Sequence, residues 1–182
     1  MSEERTWTAI WRLKGGALQD EVQARALFEA IGAVVAIRPR WYDLNQLGQW
    51  RPYSEDALIV DGITQRTQLI VLSEERELSE EGPVVMISTG KRGEAPQAVG
   101  RWRGSLPGGE EREEWMNLLA AAFRATPLGL GSFRLQSEEG LNVIATGEGE
   151  ERREVEARYG VGAMDDEGAF WIWTFWGGEG NS

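Results

Sequence analysis

The chain has 182 residues, 41% of them hydrophobic, with a formal net charge of −11 and neither histidine nor cysteine. Those absences exclude an imidazole general base, Ser-His and Cys-His nucleophile pairs, thiolate chemistry, disulfides and zinc sites built on His or Cys. The hydrophobic share is that of a folded chain, no apolar run approaches the ~20 residues that span a bilayer, and neither half of the sequence is basic, which disfavours nucleic acid and membrane as partners.

The acidic start Ser2-Glu3-Glu4 is unlike a secretion signal, so the expected location is the cytoplasm. From Thr6 to Leu13 the chain alternates, with Trp7, Ala9, Trp11 and Leu13 on one face, the pattern of a half-buried strand. Residues Gln19 to Ile31 place Val22, Ala26, Leu27, Ala30 and Ile31 at helical spacing, and Gly32 can cap the end. The apolar run Ala33 to Ile37 reads as a second strand, which makes the beginning β-α-β. Residues 39–56 carry Trp41, Tyr42, Trp50 and Tyr53 without a clear period and read as an ordered irregular segment. Strands at 57–61, 66–72, 83–89 and 97–103 then follow at the spacing of an antiparallel meander.

Ser105-Leu-Pro-Gly-Gly109 is the candidate boundary if the chain divides. A single α+β domain over residues 1–182 is the preferred reading, and a pair of α+β subdomains meeting there is the alternative. After it, Glu110 to Glu114 charge the first turn of a helix whose apolar stripe is Trp115, Leu118, Leu119, Ala122 and Phe123. Strands at 131–137, 141–146, 152–159 and 169–176 complete the chain before a flexible tail, 177–182. The sum is an α+β fold: a predominantly antiparallel sheet of about ten strands with two amphipathic helices.

The most unusual stretch is Phe170-Trp-Ile-Trp-Thr-Phe-Trp176. As a strand it sends Trp171, Trp173 and Phe175 to one face and leaves both faces apolar. Either it is covered on both sides, or that face is an aromatic platform for a partner. Arg152 to Tyr159, read as the neighbouring strand, sets Arg152, Glu154, Glu156 and Arg158 on a wet face beside the aromatic row, a combination suited to protein recognition.

Signals for other chemistry are weak. Asp165-Asp166-Glu167-Gly168 lacks the alternating acids of a calcium loop and reads as a turn. The acids at 110–114 are explained by the helix dipole. No glycine cluster completes a dinucleotide fingerprint, a phosphate-binding loop or a nucleophile elbow. Carboxylate chemistry survives the absence of histidine, but the pairs Glu154/Glu156 and Asp56/Asp61 are not specific to it.

The sequence therefore points to a small acidic bacterial protein that binds another protein through a basic surface of that partner, in the manner of an immunity protein or antitoxin occluding a toxin. Its contact residues are expected among Trp171, Trp173, Phe175, Glu154, Glu156, Asp165 and Asp166, with no cofactor and no metal. A carboxylate-dependent enzyme and a self-assembling structural subunit are the alternatives.

Overall fold

The computed structural model of the chain describes residues 5–15, 18, 21–35, 37–60, 67–80, 82–90, 94–104, 130–147, 149–164, 168 and 170–176. Their strands are β1 (Arg5–Leu13), β2 (Trp41–Leu44), β3 (Arg51–Pro52), β4 (Leu69–Ser73), β5 (Val84–Ser88), β6 (Gln97–Gly104), β7 (Leu130–Ser137), β8 (Leu141–Thr146), β9 (Ala163–Met164) and β10 (Trp171–Trp176). The described helices are α1 (Glu21–Val34), α2 (Glu55–Leu58) and α3 (Glu150–Tyr159). All ten strands join one antiparallel sheet in the order β3-β2-β4-β5-β6-β1-β7-β8-β10-β9, so the fold is sheet-dominated α+β.

The first alternating segment of the sequence becomes the middle of this sheet. Trp7, Ala9, Trp11 and Leu13 of β1 are buried on one face, opposite Trp102, Gly100 and Ala98 of β6 and opposite Leu135 and Phe133 of β7. Burying three indoles and a phenyl ring in adjacent strands removes large apolar surfaces from water, and Trp11 meets Phe133 edge-on at 5.1 Å between ring centroids. Helix α1 adds Leu27, Phe28, Ile31 and Val34 to the same core. At the helix exit Val35 lies where a side chain on Gly100 would stand, so the bare backbone of that strand admits the close approach.

Several local expectations are corrected. Ala33 to Ile37 is not a strand: α1 runs through Val34, and the Val35 amide donates to Ile31 O at 2.8 Å. The apolar run is the last turn of the helix and its exit, which a short apolar stretch does not distinguish from a buried strand. Of the expected strand at 57–61, the described residues 57–60 are helical instead. Ser54 accepts a hydrogen bond from the Ala57 amide and caps α2, which Arg25 ties to α1 through Glu55 at 3.2 Å and Asp56 at 2.7 Å. The irregular segment at 39–56 contains β2 and β3, and Pro52 sits on the sheet edge, where a missing amide costs no ladder bond.

The expected helix at 110–126, the boundary at 105–109 and the tail at 177–182 lie outside the described residues. Strands from both sides of that boundary hydrogen-bond to β1. No described helix is long and apolar enough to cross a membrane.

Candidate functional site

The largest correction falls on the expected site. Residues 152–159 form not a strand but most of α3, and β10 pairs with β8 and β9 instead. Glu, Arg and Ala are strong helix formers, Glu150 and Glu151 complement the dipole at the N-terminus, and Arg158 does so at the C-terminus. On a helix, residues two apart diverge by about 200° rather than sharing a face. Glu154 and Glu156 consequently separate: Glu154 is exposed beside a cleft, while Glu156 accepts from Arg152 at 3.1 and 3.2 Å.

No residue of α3 is buried, yet three contacts anchor the helix and its exit to β10. The Arg152 guanidinium lies 3.7 Å from the centroid of the Trp171 ring. Tyr159 stacks on Phe175 with centroids 4.7 Å apart. Trp173 Nε1 donates to Gly160 O at 2.8 Å, and its indole lies so close to Gly162 that a Cβ there would stand 2.6 Å from the ring. The three aromatic residues do share one face of the strand, but that face is the seat of α3 rather than an open platform. Trp173 is only 5% exposed, and Trp171 and Phe175 are half-buried. Asp165 and Asp166 lie outside the described residues.

Between α3 and the sheet lies a cavity of about 250 Å³, with Arg12 and Arg134 on the sheet side and Glu151 and Glu154 on the helix side. A wider space of about 620 Å³ shares Arg12, Glu151 and Glu154 with it and is bordered by Lys14, Glu94 and Glu150. The carboxylate of Glu151 occupies the place a Cβ on Gly131 would take, so the absence of a side chain on β7 gives this group its seat. Burial pushes the Glu151 carboxyl above its ordinary range, Lys14 and Arg12 pull it down, and Glu154 and Glu150 push it up again.

Arg134 stands in a transverse row across four strands, Ile10-Arg134-Ile144-Trp173, in which the other members are apolar. It is half-buried, and its side chain makes no hydrogen bond or ion pair with any described residue. Arg134, Arg12, Glu151 and Gly131 are absent from the contact set read from the sequence. Alternation in β7 marks Arg134 as facing away from the core, but nothing local indicates that a helix lies above it.

Among the described residues, no group of three or more Asp or Glu is disposed to hold a metal ion. The buried carboxylate of Asp43 is used structurally, accepting from the Gly48 amide at 2.9 Å and the Gln49 amide at 3.3 Å. No protein-family model matches the chain, and no match to it was found among curated proteins and solved structures.

Proposed function

We propose that this chain binds another protein through the outer surface of α3 and the segment that follows it, and that the partner presents a basic surface, as a toxin neutralised by an immunity protein would. The observation that carries the reading is that α3 is polar, contributes nothing to the buried core and is nevertheless fixed in place by Trp171, Trp173 and Phe175. A helix that gains so little from burial is well suited to display, since its outer residues are free of packing constraints. Beside it Val161 is 84% exposed and Met164 49% exposed, giving an apolar centre next to the charged side chains of Arg153, Glu154 and Arg158. The net charge of −11 adds long-range attraction toward a basic partner. In this reading the aromatic residues position the binding helix and Glu154 contacts the partner.

The test is a pull-down from the native host together with 1:1 mixing with the product of the neighbouring gene. A stable complex is expected that weakens with salt and is lost on Val161→Asp with unchanged unfolding of the free chain; failure to form a complex at low salt overturns the reading. A carboxylate-dependent hydrolase is the second reading, favoured by Glu151 and Glu154 sharing one cleft. It predicts hydrolysis of a glycoside or ester that Glu151→Gln abolishes.

A further inference from the structure

We propose that the cavity beneath α3 binds a small zwitterion of amino-acid size, its carboxylate held by Arg134 and its ammonium group by Glu154 and Glu151. This goes beyond protein recognition and uses the cavity between the helix and the sheet, with Glu154 exposed at its rim and common to both surfaces.

Arg134 is the reason. A guanidinium remains charged at all physiological pH, and a half-buried charge without a counter-ion is costly. Its neighbours across the sheet, Ile10 and Ile144, offer nothing to pair with it, and no described carboxylate lies within ion-pair distance. An anion entering the cavity supplies the missing partner. The planar fork of arginine favours a carboxylate, which it can hold through two parallel hydrogen bonds.

The opposite wall narrows the class of ligand. Glu151 and Glu154, with Arg158 on the same helix and Arg12 beside Arg134 on the sheet, surround the cavity with both signs of charge, so a molecule carrying both signs fits better than phosphate or a dicarboxylate. The flanking isoleucines accommodate a short hydrocarbon body. The cavity has a volume of about 250 Å³ and admits a molecule of amino-acid size.

The test is calorimetric titration of the full chain with free L-amino acids, with succinate as the anion lacking an amine and putrescine as the amine lacking a carboxylate. We expect at least one amino acid to bind saturably and raise the melting temperature while succinate and putrescine do neither. Arg134→Leu should weaken that binding by about tenfold or more. The same variant without ligand should melt no lower than the parent chain, because leucine suits the apolar row. Glu154→Gln, on an exposed position, should weaken binding without changing stability. Absence of binding by every amino acid up to about 10 mM, equal binding of succinate, or unchanged affinity in Arg134→Leu would each overturn the proposal.

Discussion

The guanidinium carbon of Arg152 lies over Trp171, 3.7 Å from its ring centroid, and Glu156 accepts hydrogen bonds from the same guanidinium one turn further along α3. A charged residue near the start of a polar helix is thus one of the links between that helix and the aromatic strand. Replacement by alanine removes both the cation–π contact and the i,i+4 pair, an expected loss of about 1–2 kcal/mol. Arg152→Lys should recover part of it, since an ammonium group keeps the attraction to the ring but not the planar geometry. Urea unfolding followed by tryptophan fluorescence measures both; equal stability of the parent chain and Arg152→Ala would show that α3 is held by other means.

Gly131 and Glu151 form a second pair across the same cleft. The glycine backbone is not in the left-handed region, so alanine there is unstrained in itself. The added Cβ must displace the Glu151 carboxylate. Gly131→Ala is expected to cost about 1–3 kcal/mol in the parent chain and much less in a Glu151→Ala background. A double-mutant cycle reads the coupling directly, and strict additivity would mean that Glu151 does not occupy this seat.

The same carboxylate gives a pH dependence of defined sign. Its folded-state pKa is raised, chiefly by burial, so the folded protein binds this proton more tightly than the unfolded chain. The group therefore subtracts stability as the pH rises from its ordinary unfolded value, about 4.3, through the raised folded value, and the full penalty is present above that. Glu151→Gln removes the effect. Its advantage over the parent chain should be small near pH 4 and grow toward pH 7 in parallel denaturation series; a difference that shrinks over this interval contradicts the assignment.

Thr146 is fully buried in β8, and its hydroxyl makes no hydrogen bond with any described residue. Valine keeps the branched shape and removes an unpaired polar group. Thr146→Val should stabilise the chain by about 1 kcal/mol, seen as a rise of roughly 2–4 °C in melting temperature. A fall of similar size would show that the hydroxyl is satisfied in solution.

Much of the sheet was legible because one face of it is buried. Alternation in β1, β6 and β7 is a direct image of that burial, while β8 is buried along its whole length, and the strand bounds read for these segments lie close to those observed. Two apolar stretches, at 33–37 and 57–61, were ambiguous because a short buried helical turn and a short buried strand use the same residues. At the second, the hydroxyl of Ser54 was the available signal for a helix start. The segment 152–159 misled for a different reason. Val155, Ala157 and Tyr159 alternate with charges as in a strand, while the surrounding Glu and Arg residues and the Arg152/Glu156 spacing suit a helix. Reading it as a strand put Glu154 and Glu156 on one face and left the cleft invisible.

By itself the sequence determined the excluded chemistries, the acidic surface and the antiparallel sheet, because composition and the period-2 pattern are properties of the chain over a few residues. Only the tertiary structure decided that Trp171, Trp173 and Phe175 carry a helix, that Gly131 seats Glu151 and that Arg134 lies beneath them with no ion-pair partner among the described residues. Those relationships join residues distant along the chain, and the environment of a charge is set by whichever segment folds over it, not by its neighbours in sequence.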